Sequence, residues 1–293
     1  MWIEGGTRSF FIAALPRLLY LWRRTGGTMT TFGLRYRLRT GALAAAAFIV
    51  SVSLAAAQVD AAKLPAAKAA ADKFMAMAKG SENTGNPPRE ADPAAKGLIE
   101  AVFDTRDVEA AKTIPSQAIS PLSERMVTGL KIGVVYMLAG TGAADLTEVG
   151  KVADADMKVN LNVIKFAAEM GRYYDFQLRI QGALMDAVLT RMATAKPADI
   201  AQPSFQAGLA EMRGGSARSV AGVIESLAIN GVTDAWLRDR QPALTAIAPK
   251  LAKFLLPEQK LELKNLAIAC ANVTDEPSVK KSLQDFAAVV GAS

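Results

Sequence analysis

Apolar residues recur at three- and four-residue spacing along most of this chain. No stretch sustains the strict alternation of a half-buried strand, so the pattern predicts an all-α fold. We expect a multi-helix bundle of about eight to ten helices. Residues 61–79 are rich in alanine and lysine, which favours helix by propensity, with a thin apolar face at Phe74, Met75 and Ala78. Residues 80–92 (GSENTGNPPREAD) collect glycine, proline and charge and read as a linker that tethers this first helix loosely. Asp92-Pro93 then supplies an N-cap and a proline at the first helical position, ahead of Leu98, Ile99, Val102 and Phe103. A short helical piece over 108–114 stops at Pro115.

Ser120-Pro121 repeats the start signal for a helix over 121–139, which Gly140-Thr141-Gly142 closes. From Leu146 to Ala195 there is no proline, and Leu161, Ile164, Ala168, Gly171, Leu178, Met185 and Leu189 can be placed along one face. Some forty residues of unbroken helix within it would run about 60 Å, so a bend is expected near Gly171 or Gly182. Shorter elements follow: a helix over 203–213, a Gly214-Gly215-Ser216 turn, and a helix over 217–230 with Gly231 past its end. Thr233-Asp234 caps a helix through Arg240, and another over 242–256 is dented by Pro249. Pro257 opens a helix through Val273, and Pro277 opens the last, with Val279, Leu283, Phe286 and Val290 on one stripe.

The pattern before residue 58 is different. Arg35, Arg37 and Arg39 precede an apolar run over 41–54 that ends in Ala55-Ala56-Ala57. Basic, apolar, then small is the layout of a secretory signal peptide cleaved near Ala57-Gln58. Residues 1–28 carry a second apolar run of about 13 residues, short of the roughly 20 that span a bilayer. They read as an upstream extension, with the start at Met29. The chain thus divides into 1–28 (extension), 29–57 (signal peptide), 58–92 (helix and linker) and 93–293 (helical domain). The expected destination is the periplasm or beyond, with membrane contact only through the leader.

This division changes the meaning of the charge. The whole chain carries +6, but residues 1–57 hold seven arginines and one acid. The remaining 236 residues hold 27 basic and 27 acidic side chains, so no nucleic-acid partner is expected. Histidine is absent, which removes the commonest general base and the usual zinc ligand; neither metal nor cofactor is expected. The single cysteine, Cys270, lies among Ile268, Ala269, Ala271 and Val273 and reads as a buried small hydrophobe.

Residues 263–287 resemble a single unit of a HEAT-type helical repeat: an apolar helix, Asp275, then Val279-Lys280 entering a second helix. The resemblance implies HEAT-like pairing of the last two helices. The unit does not recur upstream, and an array needs about three units to share a core.

Several local patterns suggest chemistry. Arg213, Gly214, Gly215, Ser216 and Arg218 would place two guanidinium groups at a helix N-terminus, an arrangement able to hold a small anion. Arg172, Tyr173 and Tyr174 combine residue types enriched in protein interfaces. Ser278 and Lys281 match S-x-x-K without the S-D-N and K-T-G elements that accompany it in penicillin-recognising enzymes. Asp145, Glu148, Asp154 and Asp156 are clustered but lack EF-hand spacing. Gly129-x-x-x-Gly133 permits close approach of one neighbouring helix. The reading that follows is an exported, non-catalytic protein acting through contacts with an unidentified protein partner. Its rivals are a helical carrier or sensor for a small apolar or anionic ligand, and an enzyme that works without histidine.

Overall fold

The structure, a computed structural model, describes residues 63–111, 113–228 and 234–292. The expected leader, the Gly231 stop and the Thr233 cap lie outside the described residues. Among the described residues there is no strand, and the protein is an all-α bundle. The helices are α1 (Lys63–Met77), α2 (Ser81–Thr84), α3 (Pro93–Val102), α4 (Arg106–Ala110), α5 (Ile119–Leu138) and α6 (Ala155–Lys165). There follow α7 (Ala167–Thr194), α8 (Pro197–Ile200), α9 (Pro203–Leu227), α10 (Asp234–Phe254), α11 (Pro257–Val273) and α12 (Pro277–Gly291). Single turns such as α2, α4 and α8 are too short for an apolar period to announce them.

Helix α7 is the spine. Its 28 residues run about 42 Å, with α5 packed on one side and α10 on another. The contact with α5 is unusually close. A Cβ on Gly129 would lie 2.2 Å from Phe176 Cε1, and one on Gly133 would lie 2.8 Å from the Tyr173 ring. The two glycines thus form a flat seat for two aromatic rings of α7. Helices α1 and α3 complete the N-terminal half against α5, while α12 packs on α10, α11 on α12 and α9 on α11. One continuous apolar cluster runs from Ala70 to Val290. The last two helices, joined by residues 274–276, pack closely as the repeat resemblance implies, with Val279, Leu283, Phe286 and Val290 all buried.

Several boundaries differ from expectation for physical reasons. The break in the long segment falls at Phe166 (φ −110°, ψ 37°), not at Gly171 or Gly182. Phe166 is buried against Tyr136, with ring centroids 5.5 Å apart, and that packing turns the chain. Gly182 stays helical within α7, with α10 packed over it: Lys250 and Ile247 lie 3.5–3.8 Å from where its Cβ would be, ordinary van der Waals distance. Ser120 is not a cap: α5 begins at Ile119 behind a 3-10 turn, and Ser120 lies within it. The piece expected over 108–114 is instead Arg106–Ala110. Pro242 and Pro249 lie inside α10 instead of starting or denting a separate helix. An interior proline costs about 3 kcal/mol, but burying Leu244, Ile247, Leu251 and Phe254 contributes about 1.5–3 kcal/mol each.

The 80–92 segment is far from a loose tether. Gly140 N–H donates to Ser81 O and Gly142 N–H to Glu82 O, at 3.0 and 2.8 Å. Tyr136 Oη donates to Pro88 O at 2.8 Å. Arg89 Nε and the Glu90 N–H both donate to Glu169 Oε1, at 2.8 and 3.0 Å. Residues 85–90 therefore form a strap tied to α5 and α7. Gly140 has φ +67°, and a Cβ there would sit 3.1 Å from Gly85 Cα, so both its conformation and its neighbour call for glycine.

Candidate functional site

The Gly214-Gly215-Ser216 turn does not exist. Helix α9 runs unbroken through it, so the backbone N–H groups expected to face an anion lie within the helix. Leu209, Ser216, Ala217 and Val220 are buried along one side of α9, and this shared packing carries the helix across both glycines. Arg213 Nε donates to Phe254 O at 2.8 Å, and its guanidinium lies 5.7 Å from the Phe254 ring centre. It serves the C-terminal carbonyls of α10, and burial lowers its pKa. Arg218 is half-buried beside Gly214, its Nη1 lying 3.3 Å from where a Cβ on that glycine would be. The anion arrangement is thus not assembled.

The Arg172–Tyr173–Tyr174 group divides between core and boundary. Tyr173 is buried, with its phenol pKa raised by desolvation and then by Tyr174. Tyr174 is half-buried and packs beside it, centroids 5.3 Å apart. Arg172 pairs with Glu90 of the strap at 2.5 Å. The three residues hold the strap and the α5–α7 contact and present little to a partner.

Other polar groups are likewise committed. Ser278 Oγ donates to Glu276 Oε1 at 3.0 Å, while Lys281 pairs with Asp285 at 2.6 Å and so does not activate the serine. Asp145 Oδ1 accepts from Thr147 Oγ1 and from the N–H groups of Thr147 and Glu148, the hydroxyl bond doing most to lower its pKa. Glu148 pairs with Lys151. No group of three or more potential metal ligands gathers among the described residues. Arg125, buried in α5, forms a two-pronged pair with Asp107 at 2.8 and 3.2 Å and also donates to Asp104 O. A cleft lined by Ile119, Val188, Arg191, Phe205, Leu209 and Met212 has a volume of about 10 Å³, room for roughly one water.

The surface that stands out is on α6. Met157, Leu161 and Ile164 are 56%, 55% and 38% exposed, and Ala168 is exposed one turn further on. The spacing of four and three residues puts Met157, Leu161 and Ile164 on one stripe of α6, and Ala168 follows beyond the break at Phe166. The stripe is held firmly. On the opposite side of α6, Val163 and Phe166 are buried. Asn162 Nδ2 donates to both Met137 O and Ala139 O, at 3.0 and 2.8 Å, filling carbonyls at the end of α5. Lys158 Nζ donates to Gly140 O and Lys165 Nζ to Gly85 O, each at 3.0 Å.

The sequence contained the signal for this stripe. Residues 157, 161, 164 and 168 form one apolar row, and residues 163, 166, 170 and 173 form another. The buried row is the one carrying the aromatics. Leu161, Ile164 and Ala168, expected on the core face of a single long helix, lie in the exposed row. Compared with protein-family models, curated proteins and solved structures, the chain matches none.

Proposed function

We propose that the protein is an exported, non-catalytic helical protein that acts by contacting another protein through the α6 face. One observation carries this reading: three large apolar side chains stand in solvent on a helix whose backbone and flanks are fastened to the rest of the fold. Exposed apolar residues scattered singly are ordinary, whereas a fixed row at helical spacing offers i, i+4 and i+7 anchors of the helix-in-groove kind. The export part of the proposal rests on the leader pattern over 29–57.

Site-specific photo-crosslinking tests the contact. A photoreactive residue at position 161, introduced in the producing cells, should give a discrete protein adduct that Ile164→Asp abolishes. The same probe at Gln284, exposed on α12, should give none. Absence of any adduct at 161 would sink the proposal. N-terminal sequencing of the cell-external fraction should begin near Gln58; intact residues 30–57 would refute export by cleavage.

A further inference from the structure

The α6 stripe has one basic edge, and its two lysines form no ion pair among the described residues. Lys158 and Lys165 are seven residues apart, so they lie about 20° apart around the helix and roughly 90° from the stripe. Each ammonium spends one donor on a backbone carbonyl, Gly140 O or Gly85 O, which leaves two further donors apiece. Neither meets a carboxylate among the described residues. Arg89 extends the same edge. Its guanidinium lies 5.0 Å from the Phe166 ring centre, and the Lys165 ammonium lies 4.9 Å from it. Of the carboxylates nearby, Asp154 lies one turn before Lys158 without an ion pair among the described residues, and four others are spoken for. Glu169 answers Arg89, Glu90 answers Arg172, and Glu148 answers Lys151, while Asp145 faces its own turn. On the other flank of the stripe stand the neutral Asn160, at about 60°, and further round, at about 100°, position 156, an aspartate.

Resting on the protein-contact reading above, we infer that the α6 face takes an amphipathic helix whose apolar row is edged on one side by Asp or Glu. The apolar rows of the two helices exclude water, and the acidic edge meets Lys158 and Lys165. Met157 to Ile164 spans about 10 Å, two turns of helix, which matches the anchors of such a partner. Basic charge on one edge only fixes the direction in which the partner lies. An anionic lipid surface would be served better by cations on both flanks, so a peptide is the better fit.

The test uses two fluorescent synthetic helical peptides with the same apolar row, one edged by Glu and the other by Lys. Anisotropy titration with the purified protein should show the acidic peptide binding at least about tenfold more tightly. Added salt should narrow the gap, because the charges are exposed. Lys158→Glu with Lys165→Glu should reverse the preference. If that variant loses its native circular dichroism, Lys158→Gln with Lys165→Gln retains a donor for each carbonyl and should abolish the preference. Leu161→Asp should weaken both peptides. Equal binding of the two peptides, no binding of the acidic one, or binding confined to phosphatidylglycerol vesicles would each overturn the inference. A protein adduct at position 161 together with failure of the acidic peptide would reject the acidic edge and leave the protein contact standing. Failure of both would reject the two together.

Discussion

Adding one methyl group at Gly129 would bring it within 2.2 Å of Phe176, whose ring is buried and cannot swing aside freely. Gly129→Ala should therefore destabilise by about 2 kcal/mol, overpacking outweighing the gain in helix propensity. Urea melts should show it, and Phe176→Leu in the same chain should recover part of the loss, a coupling a double-mutant cycle would measure. The glycine spacing announced this close approach, but not the aromatic rings that fill it. Arg125 was less legible: nothing in the sequence marks this charge as buried, and only the fold brings Asp107 alongside to make its burial tolerable. Glu225 is the opposite case. It has no ion-pair partner among the described residues, and burial raises its pKa to about 7. Its neighbour Cys270 is pushed up to about 12, first by burial and then by Glu225. The native state keeps the Glu225 proton to about pH 7, whereas the unfolded chain releases it near the ordinary value of 4.5. Stability should then fall as pH rises through that window and level off above it, by at most about 3 kcal/mol. Glu225→Gln should flatten the slope of melting temperature against pH.

Among the elements, α9 gives the clearest test of continuity. A Cβ on Gly215 meets nothing within 4 Å, and this glycine is not among those with positive φ. Gly215→Ala should stabilise the protein by about 0.5–1 kcal/mol and raise Tm by a few degrees, whereas a turn at this position would make the change neutral or harmful. The Gly-Gly-Ser triplet is a strong local breaker, and it loses here to the tertiary burial of Leu209 and Val220 on either side of it. Helix starts at Pro93, Pro203, Pro257 and Pro277 were legible because a proline at the first position needs no partner for its missing N–H. Pro242 and Pro249 resemble them in sequence but sit inside a helix, a distinction made by packing alone. The strap offers a further check. Glu169 is buried, its Oε1 takes both strap donors, and its Oε2 has no protein partner. Glu169→Ala should speed hydrogen exchange at the Glu90 amide while leaving exchange in α12 unchanged.

Across the whole molecule, one apolar cluster joins residues near both ends of the described chain. Phe74 on α1 and Phe286 on α12 are each buried at its two extremes. Phe74→Ala and Phe286→Ala should each cost about 3–5 kcal/mol. Each should lower a single unfolding transition, with helix content and near-ultraviolet signals moving together; two separated transitions would show that the halves fold independently. The all-α class and the order of the elements were legible from spacing. Which of the two apolar rows on α6 faces the core was not, because the choice depends on where Phe166 finds Tyr136.

Asn162 bears on the kinetics of association. By filling two carbonyls of α5 it fixes the rotation of α6, and the lysine bonds to Gly85 and Gly140 limit the rotamers along its edge. Ordering a long side chain at an interface costs about 0.5–1.5 kcal/mol, and here that ordering precedes the encounter. In the proposed contact the free protein would already hold the bound shape, so the partner would supply most of the entropy loss. Releasing α6 with Asn162→Ala should therefore slow association and leave the identity of the preferred partner unchanged.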